Sequence, residues 1–205
     1  MRALDLDTPH GPARAHLRPA DAPVGALVLG HGAGGGVAAR DLVAAADAAF
    51  ATGCSVALVE QPYRVAGRRS PAPAAQLDAA WTAVIEQLRA GELSDDMPLI
   101  AGGRSSGARV ACRTAAATGA VAVLCLAFPV HPPGRPDKTR QPELDAVAVP
   151  TLVVQGANDP FGMPTAGPNR NVVTVAGNHS LRSDLAAIGA AVSEWLAGVV
   201  MRSPR

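Results

Sequence analysis

Leu99-Ile100-Ala101-Gly102-Gly103-Arg104-Ser105-Ser106-Gly107-Ala108-Arg109 is the stretch on which the reading of this chain turns. An apolar run ends in Gly103-Arg104-Ser105-Ser106-Gly107 and passes directly into an alanine-rich helical pattern. A serine framed by glycines two residues to either side, between a strand and a helix, sits on a very tight turn. Its hydroxyl is lifted clear of the end of a parallel strand. The glycine frame centres on Ser105 rather than Ser106. A base and an acid are expected downstream, because a serine hydroxyl at neutral pH is a poor nucleophile.

Working outward, apolar runs predict strands over 24–29, 55–60, 98–103, 121–127, 150–155 and 171–175, with 13–18 as a short edge strand. Helical spacing falls between them. Leu42, Val43, Ala46 and Phe50 recur over 38–51, and Leu77, Trp81, Val84, Ile85 and Leu88 over 74–90. Helices are also predicted over 108–118 and 181–200, the last with Leu185, Ile188, Val192, Trp195 and Leu196 on one stripe. The strands are apolar throughout rather than alternating, which describes a mostly parallel sheet of about six to seven strands covered on both faces. The proline-rich, basic loop 128–142 follows a strand and reads as a site loop. It is too short for a cap domain, so 1–205 is expected to be one domain.

The formal net charge of +1 lacks the basic excess that nucleic acid or an anionic membrane surface requires. Cys54, Cys112 and Cys125 are far apart and lie in apolar segments, as buried reduced thiols do. The start is too polar for a signal peptide, and no apolar run approaches the ~20 residues of a membrane span. A cytoplasmic protein, monomer or homodimer, is expected. No His/Cys/Asp cluster has metal-ligand spacing, and no cofactor is expected.

Two strand ends supply the partners. Gln155-Gly156-Ala157-Asn158-Asp159-Pro160-Phe161 follows one strand and Ala176-Gly177-Asn178-His179-Ser180 the next. His179 is the expected base and Asp159 the acid that holds its tautomer. Acyl transfer also needs donors for the developing oxyanion. One is the N–H of Ser106; the second is expected from His31-Gly32-Ala33-Gly34, from Ala33 first and Gly34 next. His31 is read as a brace for that loop. Asp137, Asp145 and Asp184 are read as solvated acids.

His31-Gly32-Ala33-Gly34-Gly35, Gly103–Gly107, Gln155–Gly162 and Gly177-Asn178-His179-Ser180 together resemble the small α/β-hydrolases related to dienelactone hydrolase. Phe128-Pro129-Val130-His131-Pro132-Pro133-Gly134-Arg135-Pro136 is similar to a compact subgroup of predicted hydrolases of that superfamily. The resemblance runs from about Val24 to Leu196. It implies the α/β-hydrolase fold, a Ser105/Asp159/His179 triad in the order of that fold, and an oxyanion site at Ala33 and Ser106. One departure stands out: a dienelactone hydrolase proper has a cysteine nucleophile, whereas this chain has serine.

A small ester or related acyl compound is the expected substrate. Tyr63, Phe128 and Phe161 fall in site-edge loops as pocket walls, with His131 and Arg64 beside them; Phe128 and Phe161 could equally be core residues under the loops. Arg64, Arg68, Arg69, Arg104, Arg135, Lys138 and Arg140 cluster on the same edge, and Arg104 is the first candidate to meet an anionic substrate. Two other classes compete. Gly30-His31-Gly32-Ala33-Gly34-Gly35 satisfies G-x-G-x-x-G, and Glu60 ends the following strand, as in a dinucleotide site. A binding protein that kept a hydrolase fold without its activity is the third reading.

Overall fold

The computed structural model describes residues 1–94 and 96–202. Eight strands form one sheet: β1 (Arg2–Leu6), β2 (Ala13–Arg18), β3 (Gly25–Gly30), β4 (Cys54–Glu60), β5 (Leu99–Arg104), β6 (Ala122–Leu126), β7 (Thr151–Gly156) and β8 (Arg170–Val175). Their order is β1-β2-β4-β3-β5-β6-β7-β8. β1 and β2 pair antiparallel, β2 pairs antiparallel with β4, and every pair from β4 to β8 is parallel.

Strands buried on both faces explain the unbroken apolar runs. Along β3, Ala26 and Val28 face one core while Leu27 and Leu29 face the other. Helices α1 (Arg40–Ala51) and α6 (Leu185–Arg202) cover the second side. Helices α3 (Ala74–Gly91), α4 (Ser106–Thr114) and α5 (Gln141–Asp145) cover the first, while α2 (Pro62–Val65) is a single turn after β4. Arg113 bridges Asp78 on α3 at 2.6 Å and Glu143 on α5 at 3.2 Å, and Arg109 pairs with Glu143 at 2.5 Å. These partly buried pairs tie α4 to both neighbours. Cys54, Cys112 and Cys125 are buried and free.

Three expectations are corrected by the fold. The sheet has eight strands rather than six to seven, because Arg-Ala-Leu-Asp-Leu at 2–6 forms an exposed edge strand with only Leu4 and Leu6 touching the core. The final helix begins at Leu185 rather than 181, since the Asp184 carboxylate accepts from the Ala187 N–H at 2.9 Å and caps it. α4 begins at Ser106, two residues early, because the tight turn feeds straight into its first turn.

This strand order positions the site. From β3 the chain crosses to β4 on one side, whereas from β5 it crosses to β6 on the other. The two connections leave in opposite directions and open a crevice at the carboxyl ends of β3 and β5, the usual ligand position in open α/β sheets. Residues 31–36 and Ser105 lie there. Among the described residues no helix is long and apolar enough to cross a membrane.

Candidate active site

β5 delivers Ser105 with φ +52° and ψ −107°, outside the regions an L-residue prefers. Such a conformation costs about 1–3 kcal/mol and needs its surroundings to impose it. The glycine frame permits that imposition. A Cβ at Gly103 would lie 2.6 Å from the Gly30 carbonyl oxygen, and one at Gly107 would collide with the same oxygen. Only glycines let α4 press against the end of β3 this closely.

The loops after β7 and β8 stack on each other. Asn158 N–H donates to the Gly177 carbonyl at 2.9 Å, and a Cβ on Gly156 would lie 2.5 Å from the Asn178 carbonyl oxygen. Asp159 and His179 are thereby brought side by side. His179 Nδ1 lies 2.8 Å from Asp159 Oδ2, and Nε2 lies 2.9 Å from Ser105 Oγ. Asp159 is buried, and its carboxylate also accepts from the Phe161 N–H at 2.8 Å and from Gln155 Nε2 at 2.8 Å. A carboxylate accepts only, so the Nδ1 proton points to it and the Nε2 lone pair faces the serine hydroxyl. Gln155, fully buried, escaped the sequence reading. Its one signal is an amide near the end of an otherwise apolar strand.

The glycine loop lies against this group. A Cβ added at Gly32 would stand 3.6 Å from Ser105 Cβ. His31 Nδ1 pairs with the Gly32 carbonyl at 2.8 Å and Nε2 accepts from the Gln61 N–H at 3.1 Å. Those two contacts put the proton on Nδ1, and burial pushes the His31 pKa down, which favours the neutral ring. Tyr63, itself buried, donates its hydroxyl to the Ala33 carbonyl at 3.0 Å. Tyr63 therefore braces Ala33, and it also lines a small cavity with His31, Ser106 and Gly107. Gly34 is exposed, with open space beside it. The Ser106 N–H opens the first turn of α4.

Other candidates take different places. Phe128 is fully buried in the core, a correction to its role as a pocket wall; its carbonyl accepts from Gln155. Phe161 is partly exposed, and its ring stacks on His179 with centroids 4.0 Å apart. His131 packs behind it: the His131 N–H donates to the Phe161 carbonyl, and its ring lies against Gly162. Arg64, partly buried, donates to the Arg68 carbonyl at 3.4 Å. Arg104 is paired at 2.8 Å with Asp41, a buried acid in the first turn of α1, and donates to the His179 carbonyl at 2.9 Å. Its charge is thus balanced by Asp41 within the protein. Asp145, read as solvated, pairs with Arg170.

A groove of about 840 Å³ opens beside the amino ends of β6 and β7, lined by Leu152, Val173, Trp195 and Val199. It lies at the far end of the sheet from Ser105. Among the described residues no group of three His, Cys, Asp or Glu side chains could hold a metal ion.

Residues 23–184 match the family model described as an alpha/beta hydrolase domain. The chain belongs to the alpha/beta hydrolase family. Solved structures agree on the fold. An a/b serine hydrolase without lid from Xanthomonas campestris is 23% identical with a TM-score of 0.78, over 99% of this chain and 96% of that one. Est1E from Butyrivibrio proteoclasticus, with ferulic acid bound, is 17% identical with a TM-score of 0.79, over 98% and 100%. Dienelactone hydrolase from Anabaena variabilis is 16% identical with a TM-score of 0.73, over 100% and 98%. No curated protein matches the chain.

Within this alpha/beta hydrolase fold the dinucleotide reading loses its basis. A pyrophosphate cradle needs the glycine loop to open directly onto a helix. Here α1 begins only at Arg40, five residues after Gly35, and Glu60 is held by His16 at 3.0 Å.

Proposed function

We propose that this alpha/beta hydrolase cleaves small esters through an acyl-enzyme formed on Ser105. The observation that carries this reading is the unbroken hydrogen-bond chain from Ser105 Oγ through the His179 ring to the buried Asp159 carboxylate, at 2.9 and 2.8 Å. His179 Nε2 takes the hydroxyl proton as Oγ attacks the ester carbonyl, and Asp159 stabilises the imidazolium. The oxyanion is held by the N–H groups of Ser106 and of Ala33, with Gly34 next to it. On collapse the C–O bond to the leaving group breaks, and His179 returns the proton to the departing alkoxide, releasing alcohol. Water then enters, gives a proton to His179 and attacks the acyl carbonyl; Ser105 leaves with that proton and a carboxylic acid is freed.

Substrate size follows from the loops. Between Ala127 and Thr151 the chain forms only α5, a helix of five residues, which is too short to make a cap domain. Short or slender acyl groups fit such a site better than long lipid chains. Phe161 offers the acyl group a flat apolar surface, with His131 and Arg64 at the rim. Ferulic acid bound to Est1E supports a small carboxylic acid as the acyl part.

A fluorophosphonate probe and a panel of small esters test the proposal. Wild type should take up the label and turn over short neutral esters; Ser105→Ala should do neither. A folded wild-type protein that refuses the label would mark a binding protein on a hydrolase fold instead.

A further inference from the structure

Arg104 precedes the reacting serine, and its side chain reaches away from solvent rather than toward it, with 17% of its side-chain surface exposed. The first turn of α1, the histidine loop and the glycine loop meet at its guanidinium. Nε donates to Asp41 Oδ2 at 2.8 Å, Nη2 donates to the His179 carbonyl oxygen at 2.9 Å, and Nη1 lies 2.8 Å from where a Cβ on Gly32 would stand. Asp41 is the anchor: its side chain is 2% exposed. Burial pushes its pKa up, the Arg104 charge opposes that shift, and the N–H groups of Leu42 and Asp41 also bond the carboxyl.

The acceptor on the histidine loop is informative. Flanking contacts, Asn158 N–H to Gly177 and Leu181 N–H to Asn178, hold the residues to either side. Arg104 grips the peptide of His179 itself, whose carbonyl carbon is three bonds from the imidazole ring. A planar fork with separated donors can span a carboxylate and a carbonyl at once, whereas an ammonium is a single point of charge.

We propose that Arg104, anchored by Asp41, is a positioning residue that sets the height of the His179 ring over Ser105 and locks the glycine loop to the same frame. The inference rests on the roles proposed above for Ser105 and His179. It departs from an anion-binding role, because the guanidinium faces two protein acceptors.

Removing Arg104 alone would strand a buried acid, so the main variant removes both partners, Arg104→Met with Asp41→Asn, which is far milder than breaking a buried pair. Arg104→Lys is the conservative companion. Readouts are the melting temperature, the rate of fluorophosphonate labelling, and kcat and KM on 4-nitrophenyl acetate, a neutral ester, and on a negatively charged 4-nitrophenyl ester. The double variant is expected to lose about 10- to 100-fold in kcat and labelling rate, the cost of misplacing a reacting group by about an ångström. KM should stay within about twofold, and Arg104→Lys should fall between the double variant and wild type.

A folded double variant with kcat within about twofold of wild type overturns the proposal. So does a loss confined to KM for a negatively charged ester, which would make Arg104 a substrate contact. If the double variant fails to fold, Arg104→Lys decides on the same outcomes. Wild type inert to both probes would sink this proposal together with the hydrolase reading, whereas an active wild type with unaffected variants sinks this one alone.

Discussion

Gln155→Leu removes an amide that no solvent can replace. Gln155 is fully buried, and its Nε2 faces three acceptors: Asp159 Oδ2 at 2.8 Å, the Gly162 carbonyl at 2.9 Å and the Phe128 carbonyl at 3.0 Å. Two protons serve them, so two full hydrogen bonds are at stake. One goes to a carboxylate, worth about 1.5–3 kcal/mol, and one to a neutral carbonyl, worth about 0.5–1.5 kcal/mol. Leucine also deletes Gln155 Oε1, a buried acceptor with no partner, which returns about 1 kcal/mol. The net loss is near 2 kcal/mol, or about 4–8 °C in Tm for a chain of this size. With Asp159 held only by the Phe161 N–H and the imidazole, kcat on a small ester should fall while KM stays put. Thermal unfolding followed by circular dichroism, beside steady-state kinetics, reads both quantities. A Tm within about 2 °C of wild type would refute the energetic argument, and a full Tm loss with undiminished kcat would show that Gln155 supports the fold without tethering Asp159.

Three further outcomes follow from the same geometry. Because burial lowers the His31 pKa below its unfolded value, its contribution to stability is intact above about pH 6.5 and lost as the pH drops toward the folded value. Urea midpoints measured from pH 7.5 down to 5 should therefore decline, and His31→Gln should flatten that decline; an equal slope in the variant would contradict it. Gly107→Ala drives a methyl group into the Gly30 carbonyl, with the His31 carbonyl 2.9 Å away, so β3 and α4 must separate. A loss of about 1–3 kcal/mol is expected by calorimetry, and an unchanged Tm would count against the crowding. Phe161→Ala removes the ring stacked on His179, an aromatic contact worth about 0.5–1.5 kcal/mol, and should lower kcat by about two- to tenfold. Leucine at 161 should recover less than tyrosine; equal recovery would mean that bulk alone matters.

Much of this molecule is local in origin and legible as such. The runs at 25–30, 54–60, 99–104, 122–126 and 151–156 are apolar at every or nearly every position because both faces of those strands are covered. Ser105, Asp159 and His179 could be picked out because each sits in a turn directly past a strand, and a parallel sheet collects such turns along one edge. Less came through where an element has one wet face. β1 alternates weakly and lies at the sheet edge, so Arg2–Leu6 looked like a polar start. Asp184 looked solvated because capping a helix is a matter of which N–H lies above it.

The amino-acid order by itself determined the class of fold, the sequence of its elements and the three side chains that meet at the sheet edge. Periodicity and tight-turn chemistry act over a few residues and need no knowledge of distant partners. Tertiary structure alone decided what the charged and aromatic side chains do. The guanidinium of Arg104 meets Asp41, 63 residues earlier, and the His179 carbonyl, 75 later. Phe128 went to the core and Phe161 to the imidazole, although both follow strand ends. The role of such a group depends on which remote segment folding brings within about 3 Å, a distance that no local pattern encodes.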